Sequence, residues 1–282
     1  MTSLRSTRRG FLGGAAAATA ASLAGGGIAA RADDTAGDLK LGVATYSLRE
    51  FQRGLAIRMM KRLNVTYASV KEFHLPYTAP REELVSGAKE FARAGITIAG
   101  GGVVYMTKDD DNDIRGYFEY AKTCGMPLMA IGPTRETLKR IERFVKEYDI
   151  KVAIHNHGPE DKHFPSPESA LKALDGMDAR MGVCIDCGHT ARTGVNVVEA
   201  IRAAGPRLLD MHIKDVRDFK NAESGVPVGD GVMPIPAIFQ QLKRMNFAGY
   251  VNLEYEVDGD DPLLGMAKSF SYMRGVLAGL KG

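Results

Sequence analysis

Histidines and carboxylates, the side chains that hold divalent metals, stand at the ends of four apolar runs. The runs are Val152-Ala153-Ile154-His155-Asn156-His157, Gly182-Val183-Cys184-Ile185-Asp186-Cys187-Gly188-His189, Leu208-Leu209-Asp210-Met211-His212-Ile213-Lys214-Asp215 and Tyr250-Val251-Asn252-Leu253-Glu254-Tyr255-Glu256. In each, the apolar residues come first and the polar ones last. An unpaired charge behind an apolar run is costly to bury. Asp186, His212 and Glu254 together therefore point to a shared divalent cation. His155 is either a fourth ligand or a hydrogen-bond partner of a ligating carboxylate. His157 shares the strand face of His155 and is a candidate base for proton abstraction, as is Glu254.

These residues meet only if parallel strands bring them to one end. The runs lie roughly 25 to 40 residues apart, about one βα unit of a barrel. The rest of the chain keeps the same rhythm. Strands are expected at Leu41–Tyr46, Tyr67–Val70, Ile96–Ala99, Met126–Ile131, Ile150–His155, up to Asp186, up to His212, and at Tyr250–Leu253. Helices are expected at Arg53–Leu63, from Pro80 to Gly95, Asp111–Lys122, Thr134–Tyr148, from Ser166, Val197–Ala203, Pro234–Met245 and Pro262–Leu277. Eight strands alternating with eight helices predict parallel βαβ units, and so a (β/α)8 TIM barrel over residues 38–282. A doubly wound sheet is disfavoured, because Ala44-Thr45-Tyr46-Ser47-Leu48-Arg49 after the first strand lacks a GxGxxG loop. Gly100-Gly101-Gly102 reads as a tight turn at a strand end.

Residues 1–32 carry Ser6-Thr7-Arg8-Arg9-Gly10-Phe11-Leu12, then an Ala/Gly-rich stretch, then Ala30-Arg31-Ala32. That is the pattern of a twin-arginine export signal with a small-x-small cleavage site, which predicts a periplasmic protein with no membrane span in its mature form. The whole chain has 37 basic and 34 acidic residues, net +3; without the four arginines of residues 1–32 the balance is 33 to 34, net −1. Nothing there favours a nucleic-acid partner. Cys124, Cys184 and Cys187 offer no second CxxC for a zinc ribbon; Cys184 and Cys187 read as packing residues, a disulfide being the lesser alternative.

Ile185-Asp186-x-x-His189, His212-Ile213-Lys214-Asp215 and Asn252-Leu253-Glu254 after Gly249-Tyr250 resemble the xylose isomerase-like TIM-barrel superfamily of sugar phosphate isomerases and epimerases, as does Gly229–Pro236. The likeness is greatest to an exported branch with His-Asn-His-Gly on the fifth strand and Lys-x-Phe-His on the second, here 155–158 and 71–74. It implies a Mn²⁺, Zn²⁺, Co²⁺ or Mg²⁺ site built from a Glu, an Asp, a His and a Glu on strands five to eight. Asp186, His212 and Glu254 match; His155 stands where the first Glu is expected. In the epimerases that missing Glu also moves the proton, so plain two-carboxylate epimerisation is in doubt. The resemblance implies a substrate-binding role for His189.

Lys71 faces either the pocket, as a catalytic group, or the surface. His74, Lys214 and Tyr105 are candidate substrate contacts; a Lys214–Asp215 ion pair and ordinary packing of Tyr105 are the alternatives. The expected function is metal-dependent proton abstraction next to a carbonyl of a small-molecule sugar. The outcome would be isomerisation or epimerisation, or lyase or hydrolase action on 3-keto-glycosides, which some exported relatives perform. A phosphodiesterase of the apurinic endonuclease type is a rival that the near-neutral charge disfavours. A non-catalytic sugar-binding barrel is another. The oligomeric state is open, a homo-oligomer included.

Overall fold

In the computed structural model, which describes residues 39–281, eight parallel strands close into a barrel. The export signal expected over residues 1–32 lies outside the described residues. The barrel strands are β1 (Lys40–Ala44), β2 (Tyr67–Val70), β3 (Thr97–Val104), β4 (Leu128–Ile131), β5 (Lys151–His155), β6 (Met181–Asp186), β7 (Leu208–Ile213) and β10 (Tyr250–Leu253). Their order round the barrel is β1-β10-β7-β6-β5-β4-β3-β2. A two-stranded hairpin, β8 (Asp215–Val216) with β9 (Gly225–Val226), lies between β7 and β10 in the chain. The helices are α1 (Arg53–Arg62), α2 (Arg81–Arg93), α3 (Asp111–Cys124), α4 (Leu138–Tyr148), α5 (Pro167–Ala173), α6 (Cys187–Arg192), α7 (Val197–Ala204), α8 (Ile235–Arg244) and α9 (Leu263–Gly279).

Local chemistry sets many of these ends. Asp110 accepts from the N–H groups of Asn112 and Asp113, both at 2.9 Å, and starts α3; Gly125 in the left-handed region stops it. Ser166 and Ser169 form a reciprocal cap with Pro167 in the first turn of α5. The helices bury one stripe each: in α4, Leu138, Ile141, Phe144 and Val145 pack inward. Between strands and helices lies the main core, with Phe91, Phe118, Phe144, Phe239 and Phe270 fully buried. A smaller apolar cluster of Val103, Leu128, Ala130, Ala153 and Cys184 packs separately from it.

Three expectations need correction. The first strand stops at Ala44 rather than Tyr46, because residues Thr45–Leu48 turn as a 3₁₀ helix. The glycine run is no turn at all: β3 continues through it to Val104. A Cβ at Gly102 would stand 2.1 Å from the Ala130 carbonyl oxygen, so the close pairing of β3 with β4 needs glycine there, while one at Gly101 would press on the Met126 thioether. Finally, nine α-helices rather than eight are present among the described residues. The extra one, α6, starts directly after β6 because the Asp186 side chain caps it, accepting from the His189 N–H at 2.7 Å.

Alternation along each strand stacks the interior in layers. Two residues before the candidate ligands stand Cys184, Asp210 and Asn252. Asp210 accepts from Asn252 Nδ2 at 2.9 Å, with Cys184 Sγ 3.9 Å from its other oxygen. Burial pushes the Asp210 carboxyl up to about 7.

Candidate metal centre

Strands β5, β6, β7 and β10 end side by side, and at their carboxyl ends stand His155, Asp186, His212 and, one residue beyond β10, Glu254. All four are buried, and one donor atom from each lies within 4.8 Å of all the others. His155 Nε2 is 3.0 Å from His212 Nδ1 and 3.7 Å from Asp186 Oδ2, and His212 Nδ1 is 3.2 Å from Glu254 Oε2. Donors about 2 Å from a common ion stand about 3 to 3.5 Å from one another, so this set fits a divalent cation. Cys184 makes an alternative trio with the two histidines. Burial, however, pushes its thiol up to about 12, which leaves it a poor donor beside two carboxylates. Burial also drives His155 down to about 3, against a weaker pull from Asp186, so its ring is the neutral imidazole a metal needs.

The scaffold behind the donors is specific. Asn156 Oδ1 accepts from the Asp186 N–H at 3.1 Å, and its amide donates to Thr190 Oγ1 at 3.1 Å. Thr190 in turn donates to the Asp186 carbonyl at 2.6 Å. Ser47 Oγ donates to the Leu253 carbonyl and accepts from the Tyr255 N–H at 2.7 Å, which brackets Glu254. Lys214 Nζ lies 3.0 Å from Asp186 Oδ2, 3.0 Å from Glu254 Oε2 and 2.6 Å from Glu256 Oε2. Burial opposes both charges. Even so, Lys214 holds Asp186 and Glu254 well below the usual carboxylate range, and the carboxylates hold Lys214 well above the usual ammonium range. Gly188 leaves room for the Lys214 stem, since a Cβ there would stand 2.8 Å from Lys214 Cγ and Cδ.

Most of the sequence-predicted residues gather here. His157 and His189 have ring centroids 4.5 and 6.0 Å from that of His155. His157 sits between Asp161 Oδ2, 3.3 Å from its Nδ1, and the Tyr105 hydroxyl, 3.2 Å from its Nε2. Asp161 is itself fixed by the N–H groups of His163 and Phe164. A cavity of about 510 Å³ opens beside the donors, lined among others by Tyr46, Arg49, His189, Arg192, Lys214 and Glu254. Lys71 is buried across the mouth, against the rings of Tyr46, Phe73 and Tyr105.

One candidate contact and one alternative reading are placed differently by the structure. His74 stands apart as a strut: its Nε2 is 3.1 Å from both the Leu48 and the Phe51 carbonyl oxygens, inside the protein. That nitrogen holds the turn after β1, and His74 does not line the cavity beside the donors. The Lys214–Asp215 pair is also absent, because Asp215 accepts instead from the N–H groups of Gly229, Gly231 and Met233. The residues the sequence did not reveal are Asp161, Asn156, Thr190 and Ser47. The only trace of Asp161 is its place four residues after His157.

The profile of the xylose isomerase-like TIM barrel family matches residues 112–276, more than half of the chain. An inosose dehydratase from Mesomycoplasma hyopneumoniae is 24% identical over 160 residues, 50% of this chain and 53% of the relative. The chain thus matches about half the length of such curated relatives. Among solved structures, an uncharacterised protein from Parabacteroides distasonis is 26% identical with a TM-score of 0.65, covering 84% of this chain and 98% of its own. The IolI protein, solved with a bound zinc atom, superposes with a TM-score of 0.71 over 86% of this chain and 99% of its own; at 18% identity that likeness speaks to the fold.

Proposed function

Because the chain belongs to the xylose isomerase-like TIM barrel family, we propose that it is a divalent-metal-dependent enzyme that removes the proton next to a carbonyl of a sugar derivative. The observation that carries this reading is the convergence of four buried donors, His155, Asp186, His212 and Glu254. Bound there, a divalent cation would draw charge from neighbouring substrate oxygens and acidify the adjoining C–H. His157 takes the proton. Asp161 accepts from its Nδ1–H, which leaves the lone pair on Nε2 beside the Tyr105 hydroxyl. Burial, reinforced by His189, lowers the His157 pKa, so the ring is neutral and able to accept. Lys71, read from the sequence as a catalytic group, has no hydrogen bond to the donors or to His157, and proton transfer is assigned to His157 alone.

The outcome of proton removal depends on the substrate. With an oxygen leaving group on the next carbon, the electron pair expels it, and the product is an unsaturated keto-sugar. Without one, the proton returns to give an epimer or isomer. We favour elimination. The carboxylate that family epimerases use for proton return is replaced by His155, and several relatives are named dehydratases, enzymes that expel water. Epimerisation is the second reading. The test is incubation of the manganese-loaded chain in D₂O with a 3-keto-glucoside and with free ketohexoses, followed by NMR. Aglycone release with an unsaturated or hydrated sugar supports elimination. Deuterium entering a ketohexose without glycoside cleavage restores epimerisation, and no reaction with either defeats both.

A further inference from the structure

Two lysines are buried at the mouth, and they are matched very differently. Lys214 meets three carboxylates. Lys71 is also only 9% exposed, yet its ammonium makes no hydrogen bond or ion pair among the described residues. Its company is three rings: Tyr46 at 5.0 Å, Tyr105 at 5.6 Å and Phe73 at 6.0 Å from Nζ to centroid. Those distances reach the outer limit of useful cation–π attraction, and rings accept none of the ammonium protons well. The ammonium so held has no counter-ion among the described residues.

The nearby charges are already engaged. Glu72 accepts from the Tyr77 hydroxyl at 3.2 Å. Arg49, on the Tyr46 ring at 4.6 Å, donates to the Tyr46 carbonyl and pairs with Glu50. The Lys71 backbone is itself pinned, its N–H donating to Thr45 Oγ1 at 2.9 Å and its carbonyl accepting from the His74 N–H at 3.0 Å. Tyr105 joins this spot to the metal centre, its hydroxyl 3.2 Å from His157 Nε2. Phe73 and Tyr105 are 45% and 53% exposed, and so offer open apolar faces beside a fixed cation.

We propose that Lys71, Tyr46, Phe73 and Tyr105 form a subsite for a carboxylate carried by the substrate, so that the enzyme acts on acidic keto-sugars. This deepens the proposed function and rests on it for the sugar at the metal centre. One ammonium balances one negative charge, which fits a carboxylate better than a doubly charged phosphate. The exposed rings of Phe73 and Tyr105 would carry the C–H face of the sugar.

D-Fructuronate and D-fructose, which differ by a carboxylate in place of a hydroxymethyl group, test this by calorimetric titration of the manganese-loaded chain. Fructuronate should bind about 10- to 100-fold more tightly, the usual worth of a charge-assisted hydrogen bond. Lys71→Met should bring the ratio to about one, and Lys71→Arg should keep most of it. Matching melting curves for both variants exclude misfolding. Equal affinities in the parent chain, a preference that survives Lys71→Met, or no binding of either sugar would overturn the subsite. A Lys71-dependent preference without deuterium exchange in either sugar would leave the subsite standing and remove the proton-abstraction reading. Exchange into fructose without any acid preference would do the reverse.

Discussion

The mouth of the barrel has two unlike sides. The side formed by β5, β6, β7 and β10 is dense with charge, and its carboxylates, imidazoles and Lys214 are linked in a chain of contacts 3.0 to 3.7 Å long. The side formed by β1, β2 and β3 is aromatic and sparse in charge, with Lys71 among three rings and a glycine-lined strand behind them. The first side has the chemistry to hold a cation whatever lies on it. The second has the shape and polarity to decide what lies there. Residues 112–276, matched by the family profile, take in the first side but leave out β1 to β3.

This contrast can be broken most directly on the charged side. His212→Ala should lower the bound metal from about one ion per chain to almost none, since even outer partners of metal ligands are worth about 10- to 100-fold in affinity. Phe73→Ala, on the aromatic side, should leave the ion content unchanged. Elemental analysis after desalting measures both, and equal loss in the two would erase the distinction.

The seam between the sides can be probed at His157. His157→Gln should lower turnover by about 10²- to 10⁴-fold, the usual worth of a general base, with metal content retained. Asp161→Asn should lower it by less, because the ring stays in place but loses the acceptor that orients it. A metal loss matching the activity loss would mean that His157 is a ligand rather than a base.

The smallest effect is expected beneath the aromatic side, where His74 ties two carbonyls. His74→Gln should cost about 1–3 kcal/mol in urea unfolding. Burial lowers the His74 pKa from its ordinary 6.5. The unfolded chain therefore takes up this proton first as pH falls. The stability that His74 contributes is whole above about pH 6.5 and drains away below it. The unfolding midpoint should thus drop less between pH 7.5 and 5.5 in His74→Gln than in the parent, and an equal drop would refute the strut.

The sequence exposed the four donors because each ends an apolar run, and strand direction alone brings such ends together. It concealed whatever depends on partners distant in the chain. Lys214 has Asp215 beside it, yet its carboxylates lie on β6 and beyond β10. His74 sits in a promising Lys-x-Phe-His string, but its fate is decided by backbone carbonyls of residues 48 and 51, which carry no side-chain signature. Gly100–Gly102 looked like punctuation because crowding from Ala130 and Met126 exists only once the barrel closes. Helix α6 went unseen because its cap, Asp186, was already spoken for as a ligand.

That double duty of Asp186 reaches beyond the site. One carboxylate oxygen holds the first turn of α6 while the other faces the ion's place, so the helix and the coordination sphere share a single hinge pin. His189 and Arg192 ride on that helix and form part of the cavity wall. Loosening the first turn of α6 would therefore disturb a ligand as well as the wall.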